Sequence, residues 1–294
     1  MGIALKKKSV TLDVNGKNKK DKKPTYTNAD LPFPADGHAA DLKHFQTAYI
    51  PDLIDWIGTL DDPFGASSHP EFTAQVERMW VKYFSAYDIS DAVHAMAVAA
   101  CGNWRSSIGK RGVKAVVEQL NKRKTVQGRR DWVAEQIKDL TFLYGDPETQ
   151  GRSYRSDLII RTFGAHLHIA MKTEESWGDP TGALSLCAAA VERALSLCRD
   201  GHLRTEGLPR KGKDTALSFV AVPWADRAAS YLTPIKTLTL QKWSEIFSLG
   251  NVFKTDKGSV EDDIFNNSTD GDESSEASAY VDPRSRVVVS DDED

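Results

Sequence analysis

The chain has 294 residues, of which 40% are hydrophobic and 9% aromatic, so it can bury a core and is not a wholly disordered protein. No stretch approaches 18 uninterrupted apolar residues, and the lysine-rich start lacks the apolar run of a secretory signal. We therefore expect no membrane association and no export. The three cysteines are not closely paired, which suits a reducing, intracellular compartment.

The net charge of −4 hides two oppositely charged ends. Residues 1–24 carry eight lysines against two aspartates, and residues 256–294 carry thirteen acidic residues against three basic ones. Because such segments bury too little apolar surface to offset the entropy of ordering, we predict a disordered basic arm over 1–36 and a disordered acidic tail over 253–294. The helical domain then covers 37–252. The lysine clusters suit nuclear import or contact with phosphates, but such runs are also common in solvated tails. We expect an intracellular protein, with the nucleus and the cytoplasm as the two alternatives.

Apolar residues recur at helical spacing from about residue 38. Pro51 fits the first turn of a helix, which the turn residues 61–65 end. Pro70 then begins an aromatic-rich amphipathic helix, and Ser90 begins a long one. Because glycine weakens helices, we expect the long helix to kink or break near Gly109.

Polar residues 121–131 are the best candidate for a sub-boundary within the helical domain. The next helix should stop at residues 145–147, which read Gly-Asp-Pro. Pro180 starts an alanine-rich helix that we place at the centre of the fold, and a last helix is predicted to begin at Pro234. Since no run of alternating strands appears, the predicted fold class is mainly α, a multi-helix globular bundle.

Three stretches stand out together: Tyr49-Ile50-Pro51-Asp52-Leu53-Ile54 through Asp62-Pro63-Phe64, Asn103-Trp104-Arg105-Ser106-Ser107-Ile108-Gly109, and Gly182-Ala183-Leu184-Ser185-Leu186 through Val191-Glu192-Arg193-Ala194-Leu195. They resemble an uncharacterised helical protein family that is expanded in mushroom-forming (basidiomycete) fungi and has no assigned activity. The resemblance covers about residues 40–250 and implies a helical fold and a fungal source. It also implies an alternative role, as an accessory or relic protein of a mobile element. The same motifs are equally typical of packing and buried ion-pair positions.

Patterns typical of enzymes are weak. Residues 207–213 match the start of a phosphate-binding loop, but Asp214 replaces the Ser or Thr that would hold magnesium. His166 and His168 point about 200° apart on a helix, so we expect them at the solvent or the core edge and not on one metal ion. Asp61 and Asp62 suit a turn. We predict no catalytic, cofactor-binding or metal-binding residue and no small-molecule substrate, with an enzyme of unrecognised site as the less favoured alternative.

A basic stripe is the strongest candidate site. Glu118 is the one acidic residue in residues 110–130, and Trp104 and Trp132 flank this segment. Such a stripe can bind phosphates, and an aromatic side chain can stack on a base if it is exposed. A solvated helix end followed by a polar linker also explains it. We predict a non-enzymatic protein that acts by binding a protein or nucleic acid, with these candidate contact residues: Lys110, Arg111, Lys114, Lys122, Arg123, Lys124, Arg129 and Arg130.

Overall fold

The computed structural model describes residues 25–170, 176–204, 219–253 and 287. These residues are mainly helical, which confirms the predicted fold class. Residues 1–24 of the predicted arm, and all of the predicted tail except Phe253 and Val287, lie outside the described residues. Residues 25–36 of that arm are described, and Leu31 and Phe33 pack into the apolar core, so the packed part of the chain begins before residue 37. The helices are α1 (His38–His44), α2 (Ile50–Gly58), α3 (Phe72–Phe84), α4 (Asp91–Asn121), α5 (Val126–Ile137), α6 (Asp157–Ala170), α7 (Thr181–Leu197), α8 (Ala221–Ile235) and α9 (Leu240–Asn251).

A π-helical stretch, Phe45–Tyr49, joins α1 and α2 into one continuous helix. Pro51 lies in the first turn of α2, as predicted, where its missing N–H is tolerated best. The turn that follows is held by Asp62, whose carboxylate accepts the backbone N–H groups of Phe64 at 3.0 Å and Gly65 at 2.9 Å. These bonds confirm the predicted turn role of Asp62.

Helix α4 runs unbroken for 31 residues, so the expected kink near Gly109 is wrong. A Cβ atom at Gly109 would lie 2.8 Å from the ring of Phe219, and one at Gly112 would lie 3.1 Å from the backbone of Ala190 in α7. These glycines therefore let neighbouring segments approach α4 closely. The packing that results offsets their weak helix propensity.

Helix α7 is the central helix, as predicted. It packs against α2, α4, α6 and α8, and every residue over 182–195 is buried. The carboxylate of Glu192 on this helix accepts hydrogen bonds from the Tyr231 hydroxyl at 2.9 Å and from the guanidinium of Arg227. A buried carboxylate requires such partners, so this part of the motif is a buried ion-pair position.

Other local predictions need correction. The strands β1 (Tyr144–Asp146) and β2 (Gly151–Ser153) form an antiparallel hairpin where the sequence predicts only the end of a helix. Pro234 lies inside α8, and the last helix begins after Thr239, whose hydroxyl accepts the N–H of Lys242. Similarly, Thr125 accepts the N–H of Gly128 and starts α5, so residues 126–131 are helical and do not form a linker.

One cluster of buried apolar side chains includes Leu120 and Trp132, which lie on either side of the predicted sub-boundary near 121–131. The thiols of Cys101, Cys187 and Cys198 are buried, and Cys187 and Cys198 are the small core residues that their spacing predicts. Within the described ranges, no helix combines the length and apolar character that a membrane span requires.

Candidate nucleic-acid interface

The basic stripe predicted over 110–130 divides into two parts in the structure. In the first part, Arg111 is buried and serves the fold. Its Nε atom donates to the carbonyl of Arg161 at 3.3 Å, and its Nη2 atom donates to the carbonyl of Phe253 at 2.9 Å. These hydrogen bonds connect α6 and the second residue after α9 to α4, so Arg111 is not part of an exposed contact surface.

Acidic side chains balance Lys114 in the first part, where Lys110 is also exposed. Lys114 lies 3.9 Å from the carboxylate of Glu118, which is also 3.3 Å from the guanidinium of Arg161 on α6. Arg161 in turn donates to Asp157 at 2.8 Å. Charges of both signs therefore alternate across the contact between α4 and α6. Such a surface attracts a polyanion only weakly, since the paired charges cancel at a distance.

The second part of the stripe surrounds the turn from α4 to α5 and has no acidic residue over positions 121–130. The guanidinium of Arg123 lies 4.2 Å from the centre of the Trp132 ring and donates to the Gln119 carbonyl. The Nε atom of Arg129 donates to the Arg123 carbonyl at 3.0 Å. Partial burial lowers the pKa of Arg123, and the negative charge of Glu135 on α5 opposes this shift. Arg123 stays charged because arginine titrates far above neutral pH. Each arginine uses few of its five N–H donors here.

The loop after α7 extends this surface. The Nε atom of Arg130 donates to the Asp200 carbonyl at 3.1 Å. Gly201, with a left-handed φ of 81°, comes so close to α5 that a Cβ atom there would lie 2.7 Å from the Val126 carbonyl oxygen. The packed loop presents further exposed cations beside the turn. We name the combined surface the basic corner, and it consists of Lys122, Arg123, Lys124, Arg129, Arg130, Arg199, His202 and Arg204.

Asp200, the acidic residue within the loop, is paired with neighbouring cations. Asp200 accepts a hydrogen bond from the Nε atom of Arg204 at 2.7 Å. This bond lowers the pKa of Asp200, and the positive charges of Arg204, His202 and Arg130 lower it further. These cations therefore stabilise the charged carboxylate of Asp200, which in turn offsets part of the positive charge of the basic corner.

The aromatic residues that flank the stripe do not reach a ligand. Trp104 is 0% exposed and Trp132 is 9% exposed, because both pack into the core. The condition for base stacking is therefore not met by either residue. The basic corner can still contact phosphates, which carry charge but no base identity.

Another polar cluster lies on α2, and no sequence motif marked it as a site. The buried carboxylate of Asp52 accepts hydrogen bonds from the Tyr83 hydroxyl at 2.9 Å, the Trp177 Nε1 at 2.6 Å and the Lys82 Nζ at 3.2 Å. Asp55, one turn later, accepts the Trp177 backbone N–H at 3.4 Å. Burial, with a smaller contribution from Asp52, raises the pKa of Asp55 to about 6. The sequence signal that could have revealed this cluster is the presence of two carboxylates on an otherwise apolar helix. The two carboxylates connect α3 and the segment before α7 to α2.

His166 is fully buried, so its predicted place at the solvent or the core edge is wrong. The centre of its ring lies 5.9 Å from that of Trp104 and 5.6 Å from that of Phe163. Neither ring nitrogen has a hydrogen-bond partner among the described residues, and burial lowers the pKa of His166 to about 3. The imidazole is therefore neutral at pH 7. In the described part of the chain, no group of three or more His, Cys, Asp or Glu side chains is placed to hold a metal ion.

Comparison of the chain with protein-family models, with curated proteins and with solved structures finds no match. The resemblance to a fungal helical family therefore stays a prediction. The segment 207–213, with its incomplete phosphate-loop pattern, lies outside the described residues. The basic corner is thus the feature of the described residues that points most directly to a function.

Proposed function

We propose that this protein is a non-enzymatic helical protein that binds the phosphate backbone of nucleic acid through the basic corner. The observation that supports the proposal is the hydrogen bond from Arg130 to the Asp200 carbonyl, which joins two cationic segments far apart in sequence. Neutralising phosphates releases bound counterions, so a cluster of cations supplies affinity without reading bases. We expect binding with little sequence preference.

The arginines of the basic corner are partly ordered before any ligand arrives. Arg123, Arg129 and Arg130 each donate one hydrogen bond to a backbone carbonyl. Their side-chain entropy is therefore already reduced in the free protein, which lowers the cost of binding. The remaining guanidinium donors match the geometry of phosphate oxygens. The positive N-terminal end of α5 lies within the same surface and adds to the attraction.

An acidic protein segment is the alternative partner, because its carboxylates suit the same cations. Roles as an accessory or relic protein of a mobile element, or as an enzyme, stay predictions that none of the contacts above favours. The lysine clusters within residues 1–24 support a nuclear location, with the cytoplasm as the alternative.

The test measures binding of the full-length protein to fluorescent DNA and RNA duplexes by anisotropy over a range of salt concentrations. We expect log K to fall linearly with log salt concentration. A variant that lacks four exposed cations of the basic corner should bind more weakly. Its salt slope should be smaller by about 0.9 for each phosphate that the variant no longer neutralises, or about 3 to 4 in all. These substitutions are Lys122→Ala, Lys124→Ala, Arg199→Ala and Arg204→Ala.

The matched control removes four exposed lysines elsewhere on the molecule, so that the net charge changes equally. It combines Lys43→Ala, Lys114→Ala, Lys138→Ala and Lys236→Ala, which are all exposed. The control should keep most of the affinity and the salt slope. Equal weakening of both variants would show that net charge, and not the basic corner, drives binding. Binding to polyglutamate but to neither duplex would instead assign an acidic protein partner.

A further inference from the structure

Phe253 and Val287 are the described residues of the predicted acidic tail, and both belong to the packed part of the molecule. The Phe253 carbonyl accepts a hydrogen bond from Arg111, and its ring lies 4.6 Å from the Arg161 guanidinium. Val287 is 8% exposed and is a member of the buried apolar cluster. The chain is therefore fixed to the helical core at two points, which are 34 positions apart.

The residues around Val287 explain why the chain is fixed there. Val287 begins a run of three valines, with Arg284 and Arg286 before it and four acidic residues over 291–294 after Ser290. Valine loses little side-chain freedom when it is buried, and its branched side chain favours release from water. The charged residues on either side have no such tendency. A buried apolar side chain within a charged tail, such as that of Val287, is thus suited to anchor it.

We propose that Val287 anchors the C-terminal end of the chain in the apolar core of its own molecule. The chain length allows this arrangement. A fully extended stretch from Phe253 to Val287 spans about 115 Å, whereas a domain of this size has a radius of gyration of about 17 Å. The anchor attaches both ends of the intervening segment, with its nine acidic residues, to the helical domain. It does not depend on the proposed nucleic-acid binding.

The test compares thiol reactivity at two positions in the full-length protein. Val287→Cys places a thiol at the anchor, and Val252→Cys places one on a residue that is 70% exposed. The native cysteines are buried, so the unmodified protein supplies a low background. A maleimide should label the thiol at position 287 at least tenfold more slowly than the thiol at position 252. In guanidinium chloride the two rates should become equal.

Labelling of Val287→Cys as fast as that of Val252→Cys would overturn the anchor. Protection that disappears on hundredfold dilution would place Val287 in a second copy of the chain, which also contradicts the proposal. A second pair of variants tests the anchor independently, in case the cysteine at position 287 itself weakens the contact with the core. Val287→Asp should lower the midpoint of thermal unfolding by about 3–8 °C, while Val252→Asp leaves it nearly unchanged. Equal midpoints for the two aspartate variants would count against the anchor.

Discussion

Replacing His166 with leucine should remove much of the acid sensitivity of the fold. The imidazole packs against Trp104 and Phe163, and its two nitrogens have no hydrogen-bond partner among the described residues. Protonation in the folded state would place an unpaired charge in the core, and burial therefore lowers the pKa of His166 from 6.5 to about 3. Leucine fills a similar volume and cannot be protonated.

The sign and size of the effect follow from proton linkage. Below pH 6.5 the unfolded chain binds a proton at His166, whereas the folded protein binds one only near pH 3. Within this window the unfolded state holds more protons, so the free energy of unfolding falls as the pH falls. The loss is about 2 kcal/mol between pH 7.5 and pH 5.0, and it reaches about 4–5 kcal/mol by pH 3.

Asp55 acts in the opposite direction over part of the same range. Burial raises the pKa of its carboxyl from 3.8 to about 6, so between these values the folded state binds more protons than the unfolded state. Its contribution to the free energy of unfolding therefore rises as the pH falls. Both titrations are present in the natural protein. The difference between the natural protein and the His166→Leu variant isolates the histidine, because Asp55 is unchanged in both.

The assay is urea unfolding followed by tryptophan fluorescence at pH 7.5, 6.5, 5.5 and 5.0. Between pH 7.5 and pH 5.0, the free energy of unfolding of the natural protein should fall by about 2 kcal/mol more than that of the His166→Leu variant. His202 is exposed, so His202→Leu serves as the control and should keep the natural pH dependence. His166→Gln gives a second non-titrating variant if leucine disturbs the packing. Parallel pH profiles for the natural protein and both His166 variants would show that this histidine is not the source of the acid sensitivity.

Two further predictions concern Asp55 and the N-terminal lysines. Asp55→Asn keeps an acceptor for the Trp177 N–H but buries no charge, so it should raise the free energy of unfolding at pH 7.5 by about 1–2 kcal/mol, with no gain below pH 4. Urea unfolding checks this, and a destabilised variant at pH 7.5 would contradict it. Residues 1–24 fused to a fluorescent protein should direct it to the nucleus, and alanine in place of the lysines should abolish this accumulation. An evenly distributed fusion would remove the argument for a nuclear location.

The helical class and many local features could be predicted from the sequence. Helix α7 follows Pro180, the turn after α2 is held by Asp62, and Cys187 and Cys198 share a buried face. These features depend on side-chain spacing and on neighbours within a few residues, so they can be read along the chain. The same reasoning gave a wrong prediction of a kink at Gly109. The sequence alone does not distinguish a glycine that makes room for a neighbouring side chain, here Phe219, from a glycine that breaks a helix.

For the candidate site, the sequence identified five of the basic corner's residues within its stripe, but the packing of the helices determines which cations share a surface. Packing of α4 against α6 brings Arg161 to Glu118, which already pairs with Lys114 within α4, and Arg111 is buried against the Phe253 carbonyl. Packing of the loop after α7 on α5 adds Arg199, His202 and Arg204. Periodicity shows that a helix has an apolar face, but it does not show which helix covers that face. Contacts between residues 40 or more positions apart exist only once the helices have packed, and they determine both the charge of the surface and the burial of His166.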